Sequence, residues 1–295
     1  NQKSQKIKIP VICIGNITAG GSGKTPTTIA INKIITENKL FNNPCFLTRG
    51  YGAKNQSTRF ISVHEPTDET GDEPKILLNY SNTIISKNRY KGARLAQNSS
   101  HDIVIMDDGF QNNTLYKDIS LLVVDGKIGF GNECTLPAGP LREPIKDGID
   151  KAHAVVLIGD DINGCLKKIP PEKPIFKATI KAKLDKIDLS QEYLAFCGLA
   201  HPSKFFSTLD TSNINVIEHK EFADHHPYTQ NELNQIIERS NKIGAKLITT
   251  EKDFVKIPPK FHDNIQTLPI ELIFDDEKQL TEFLKSSLSG YIENT

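Results

Sequence analysis

Cysteine is sparse in this 295-residue chain, and what there is stands apart: Cys13, Cys45, Cys134, Cys165 and Cys197 form no C-x-x-C pair and no Cys/His cluster. That spacing argues against a disulfide framework or a structural zinc site and fits reduced thiols in a cytosolic protein. Charge of one sign is lacking as well. Lys+Arg and Asp+Glu both number 36, for a formal net charge of +0, so there is no global basic field to hold nucleic acid, and no nucleic-acid partner is expected. Any charged ligand must be bound locally. Arginine is scarce: Arg49, Arg59, Arg89, Arg94, Arg142 and Arg239 are the six, against a lysine-dominated background, which draws notice to any arginine in a rigid loop. Apolar runs are short, none approaching the ~18 residues of a membrane span. Residues 1–10 are polar and lack the apolar centre of a signal peptide. The chain does not begin with Met, and a further N-terminal stretch is expected ahead of it.

What is present reads as buried strands alternating with helices. Residues 9–15 form a β-branched run, followed by a glycine-rich turn and a segment with Ala30, Ile31, Ile34 and Ile35 on one side at helical spacing. Pro26 falls in the first helical turn, where its missing N–H is tolerated. Short apolar runs at 45–48, 83–85, 103–106, 120–124 and 154–158 alternate with helix-like segments at 75–80 and 90–97. The pattern predicts a mostly parallel sheet covered on both faces. A Pro/Lys-rich stretch near 170–174 and an alternating ribbon at 175–184 mark a linker. A second α/β pattern follows, with strands at 193–197, near 216 and at 246–249, helices from 202 and over 230–242, and a terminal helix at 277–288.

The strongest chemical signal is Gly20-Gly21-Ser22-Gly23-Lys24-Thr25 between the first strand and first helix. Successive backbone N–H groups at a helix N-terminus cradle phosphate oxygens, a lysine reaches the β/γ-phosphates, and a Thr hydroxyl suits Mg²⁺. Thr18 stands where the strict G-x-x-x-x-G-K-[ST] pattern has its first glycine. A buried strand then delivers Asp107 and Asp108 at its carboxyl end, where ligands bind in doubly wound sheets; this suits a Walker-B partner ordering the metal, or a plain Asp-Asp-Gly turn. Gly71-Asp72-Glu73-Pro74 enters a helix, either as a simple acidic N-terminus or with Asp72 as a base near a transferred phosphoryl group. Arg49 and Arg142 lie in Gly/Pro-rich loops suited to a phosphate clamp or to loop support.

Asp224-His225-His226 is a poor two-ligand metal site, since adjacent histidines point in different directions, but a His beside a carboxylate can relay a proton. Thr250-Glu251-Lys252-Asp253 has Lys and Asp adjacent, out of register with the Asn/Thr-Lys-x-Asp sequence that reads guanine. From the residues alone, a P-loop kinase, a P-loop ATPase or GTPase switch acting on a partner, and a non-catalytic nucleotide module all stay open.

Taken in order, residues 14–26, 48–52, 71–74, 107–111, 136–144, 222–225 and 250–253 closely resemble the tetraacyldisaccharide 4'-kinase family, the lipid A 4'-kinases of Gram-negative bacteria. The resemblance spans roughly residues 10 to 256, and the family's loop likewise does without the first Walker glycine. It implies transfer of the ATP γ-phosphate to the 4'-hydroxyl of a tetraacylated glucosamine disaccharide 1-phosphate, forming lipid IVA at the cytoplasmic face of the inner membrane, with the protein peripheral there. It implies a P-loop NTPase-like α/β/α sandwich at 1–172, a two-stranded linker at 173–190 and a smaller α/β/α domain at 191–295, with the active site in the cleft between domains. By motif match, Thr18, Ala19, Gly20, Gly21, Ser22, Gly23, Lys24 and Thr25 hold ATP, and Thr25, Asp107 and Asp108 lie at Mg²⁺. Asp72 is the implied base, paired with His225, with Arg142 near the phosphates. The family usually adds an N-terminal membrane-associating helix.

Overall fold

The computed structural model describes residues 4–292, so 1–3 and 293–295, the outermost residues of the two expected domains, lie outside it. Two compact units divide the chain: the residues up to Ile180 together with those from Leu272 on, and Lys181–Glu271. In the first, β1 (Val11–Gly15) leads through the glycine-rich turn into α1 (Lys24–Glu37). β2 (Pro44–Thr48), β3 (Arg59–Phe60), α2 (Thr67–Thr70), α3 (Asp72–Leu78) and β4 (Thr83–Ile85) follow. Next come α4 (Arg89–Asn98), β5 (Ile103–Asp107), β6 (Ile119–Asp125), α5 (Ile145–Lys151), β7 (Ala154–Ile158) and β8 (Ile175–Ala182).

The second unit holds β9 (Glu192–Cys197), α6 (Pro202–Thr211), β10 (Asn215–Glu221), α7 (Gln230–Ile243), β11 (Lys246–Thr250), α8 (Glu251–Phe254) and β12 (Ile265–Leu268). Its four strands run β10-β9-β11-β12, each neighbouring pair parallel. Helix α7 starts on a reciprocal cap between Thr229 and Glu232 and stops at Gly244, whose left-handed φ of 73° closes it. One face of the sheet buries Leu194, Phe196 and Leu247 against Leu233 and Ile236 of α7; the other buries Tyr193, Ala195 and Ile248 against Phe205 and Leu209 of α6.

The chain then returns through β13 (Ile270–Phe274), α9 (Glu277–Ser287) and α10 (Ser289–Ile292). With β13 in place the first unit's sheet has nine strands, ordered β13-β8-β7-β6-β1-β5-β2-β4-β3. The run from β8 to β4 is parallel and β3 pairs antiparallel with β4. Every residue of β1, β2, β5 and β7 is buried, which is why these strands read as continuous apolar runs. Their odd and even residues serve two cores. Ile12, Ile14, Ile105 and Leu121 pack with Ile31 and Ile35 of α1 and with Leu280 and Leu284 of α9; Val11, Cys13, Met106 and Leu122 pack with Ala93 of α4 and Ile149 of α5. The expected doubly wound α/β/α sandwich is therefore the architecture found.

Two boundaries differ from the sequence expectation. The ribbon assigned to a linker is largely β8, a strand of the first sheet, with Val156 beside Phe176 and Ile158 beside Ala178. Its alternation reflects a strand near the sheet's edge, with Phe176 and Ala178 turned into the core and Lys177 outward. The terminal helix, expected in the second domain, packs on the first, because Leu280, Leu284 and Leu288 fill its core. Among the described residues no helix is long and apolar enough to cross a membrane.

Candidate active site

The carboxyl ends of β1 and β5 lie side by side, with Ile14 paired to Asp107, so the glycine-rich turn and the two aspartates emerge at one place. Asn16, fully buried, shapes the turn: its Nδ2 donates to Thr18 O at 2.6 Å, to Thr18 Oγ1 at 3.1 Å and to Ser22 Oγ at 2.6 Å. A second segment braces the turn from outside, as Ala19 N donates to Pro140 O and Arg142 N to Ile17 O, each at 2.7 Å, and Thr18 bridges Leu141. Thr18 thus lies in a strand-like bridge, where a side chain is accommodated, and this accounts for the missing first glycine. Gly23 caps α1 with a φ of 85°, which requires glycine there; a Cβ would lie 2.4 Å from the terminal methyl of Ile158, which could move aside.

Within this frame the polar groups converge. Thr25 Oγ1 donates to Asp107 Oδ2 at 3.0 Å, and Thr28 Oγ1, from the next turn of α1, donates to Asp107 Oδ1 at 2.9 Å. Burial, then the charges of Glu73 and Asp108, push the Asp107 carboxyl up to about 7, with Lys24 pulling the other way. A carboxylate fixed by two hydroxyls yet held against its own ionisation fits an added cation. Mg²⁺ is commonly held by few protein ligands, so the pair Thr25 and Asp107 suffices as a donor set. Asp108 has a left-handed φ of 48° that turns it outward; it accepts from Arg142 Nη1 at 2.9 and 3.1 Å and lies 3.9 Å from Lys24 Nζ. The sequence expectation set Arg142 toward phosphates; here it is ion-paired to an aspartate of the same site.

Asp72 begins α3 and is 5% exposed, its Oδ1 accepting from Glu73 N at 3.0 Å. Gly71 before it has a φ of 85°, and a Cβ would press to 2.5 Å from Tyr51 O, so the 48–52 loop and the start of α3 meet at that glycine. Arg89, unassigned by sequence, is 3% exposed at the start of α4, where Nη1 donates to Ser86 O at 2.5 Å. Burial lowers its guanidinium to about 10, against the favourable pull of Asp108 and with added repulsion from Arg49. Only its being one of six arginines hinted at it.

His225 belongs to the second unit, in the loop after β10, and lies 3.3 Å from Lys252 Nζ and 3.9 Å from Asp224 Oδ2, both measured at Nε2. Its neighbour His226 faces elsewhere, bonded to Glu232 Oε1 at 3.1 Å and packed on Phe222 and Tyr228.

The family model described as tetraacyldisaccharide-1-P 4'-kinase matches residues 1–289. A tetraacyldisaccharide 4'-kinase of Rhodospirillum rubrum is 38% identical over 278 residues, covering 92% of this chain and 83% of that protein. One from Gluconobacter oxydans is 39% identical over 272 residues, with 92% and 83% covered. Among solved structures, LpxK from Aquifex aeolicus in complex with ATP superposes with a TM-score of 0.79 at 29% identity, over 97% of this chain and 90% of that one.

Proposed function

The chain belongs to the tetraacyldisaccharide-1-P 4'-kinase family, and on that premise we propose how its own residues carry out the phosphoryl transfer. It is an ATP-dependent kinase of lipid A biosynthesis, moving the γ-phosphate to the 4'-hydroxyl of tetraacyldisaccharide 1-phosphate. The observation that carries the residue reading is the convergence of Lys24, Thr25, Asp107, Asp108 and Arg142 at the ends of β1 and β5. The backbone N–H groups of the 18–25 turn and Lys24 bind the triphosphate at the N-terminus of α1. Thr25 and Asp107 would hold Mg²⁺, whose charge would neutralise that of the phosphates. Asp108 keeps Arg142 and Lys24 beside the reacting phosphoryl group, where their positive charge stabilises what develops in transfer.

The acceptor is an alcohol whose proton must leave as the new P–O bond forms, so a carboxylate in reach is the required helper. We assign that part to Asp72, and to His225 a contribution to the same proton transfer. The site works at the cytoplasmic face of the inner membrane, against a membrane surface, because a tetraacylated acceptor partitions into the bilayer; co-sedimentation with lipid vesicles tests this.

Transfer of labelled γ-phosphate from ATP to tetraacyldisaccharide 1-phosphate, in detergent with Mg²⁺, tests the rest. Lys24→Ala is expected to abolish labelled lipid. Asp72→Asn is expected to cut turnover by about 10²-fold or more while ATP affinity is retained. Near-normal transfer by Asp72→Asn overturns the base assignment, and label that depends on neither residue overturns the whole reading.

A further inference from the structure

In the second unit the carboxyl ends of β9, β10 and β11 come together around one buried carboxylate. Asp253, with no exposure, accepts from Tyr228 Oη at 2.9 Å, Thr250 Oγ1 at 2.7 Å and Lys256 Nζ at 2.8 Å. Tyr228 belongs to the segment that carries His225, and Thr250 caps α8, which carries Lys252, so a single anchor ties the two loops together. Gly198, at the end of β9, makes room: a Cβ there would meet Ala223 O at 2.9 Å, and Asp253 Oδ1 and His226 Cβ at 3.2 Å. The backbone of His225 is fixed too, donating to Gly198 O at 3.2 Å, and its φ of 57° is left-handed, a region that is uncommon for non-glycine residues but in which His is enriched.

The side chain of His225 meets two opposed charges at one nitrogen. Lys252 Nζ stands 3.3 Å from Nε2 and Asp224 Oδ2 stands 3.9 Å from it. Near these loops Asp253 pairs with Lys256, Glu232 with His226, and Glu251 accepts from Ile270 N. An ammonium has three donors and no acceptor, so a bond from Lys252 to Nε2 requires that nitrogen to offer its lone pair, and the ring proton then sits on Nδ1. Asp224 works the other way, favouring a proton on Nε2.

We propose that Lys252 is a positioning residue for the kinase reaction: by donating to Nε2 it holds His225 in one orientation with the proton on Nδ1. The adjacency of Lys252 and Asp253, out of register for reading guanine, then has a purpose, since Asp253 anchors α8 from inside while Lys252 reaches His225. The proposal rests on the assignment of His225 to the transfer step. It makes the histidine a fixed hydrogen-bond donor through Nδ1–H.

The test combines spectroscopy with kinetics on the full chain. Nitrogen-15 imidazole spectra of protein labelled at its eight histidines, with the His225 signals identified by their loss in His225→Gln, report the tautomer directly. The expected wild-type pattern is a pyrrole-like Nδ1 and an unprotonated Nε2. Lys252→Met is expected to move the proton toward Nε2 and to lower turnover about tenfold with the KM for ATP unchanged; Lys252→Arg, which keeps a donor, restores part of the rate. In the His225→Gln background, Lys252→Met is expected to cost nothing more. An Nε2–H wild-type ring, or full turnover in Lys252→Met beside a crippled His225→Gln, overturns the proposal while leaving the reading of His225 intact. Full turnover in His225→Gln overturns both.

Discussion

Asp107 receives two hydroxyl hydrogen bonds and still titrates far above an ordinary aspartate, because burial and the nearby charges of Glu73 and Asp108 outweigh Lys24. The consequence is a pH dependence with a definite sign. With a folded pKa of about 7 and an unfolded value near 3.8, the native state binds the extra proton between those limits. Stability contributed by this group is therefore present at low pH and lost as pH rises toward 7. Asp107→Asn is expected to remove that component, leaving the nucleotide-free variant more stable than wild type near pH 7.5 while phosphoryl transfer is abolished. Melting temperatures of both proteins from pH 4.5 to 8 check it; parallel curves would sink the argument. The aspartate pair was legible in the sequence because its members are adjacent and end an apolar strand. The charge environment of Arg89 and the Arg142 to Asp108 pairing were not, since they join residues far apart in sequence; Asn16 was not, because its bonds to Thr18 and Ser22 depend on how the turn folds and leave no motif.

At the scale of elements, the glycine-rich turn is legible because its chemistry is local, but its individual glycines are not equivalent. Gly23 is confined by a φ of 85°, whereas a Cβ at Gly21 would meet nothing within 4 Å. Gly23→Ala is expected to cost at least about 1–2 kcal/mol from the left-handed backbone alone and to weaken ATP binding. Gly21→Ala is expected to stay within about 0.5 kcal/mol of wild type. Denaturant midpoints and calorimetric titration with ATP separate the two, and equal midpoints would show that the tight N-cap is not what fixes the turn. Strand positions came through well for the buried parallel strands, whose unbroken apolar runs have few other uses. β8 was misplaced as a linker because a half-buried strand and an exposed ribbon share a period of two, and only the partner strands β7 and β13 distinguish them.

At the scale of the whole molecule, the unit that carries the glycine-rich turn is completed by residues from the far end of the chain. The sequence shows a terminal amphipathic helix, but not which sheet it covers, because periodicity states that a face is apolar and is silent about its partner. The structure answers with Leu280, Leu284 and Leu288 of the terminal segment packed in the same core as Ile31 and Ile35 of α1, the helix that follows the glycine-rich turn. Leu284 has no exposure, so truncating it leaves a cavity beneath that helix. Leu284→Ala is expected to cost about 2–5 kcal/mol, although it lies more than two hundred residues from Lys24 in sequence. ATP binds only the folded unit, so the loss should appear as a lower melting temperature that saturating ATP raises again. A variant whose melting temperature matches wild type with and without ATP would mean that the returning helix covers the sheet without supporting the site.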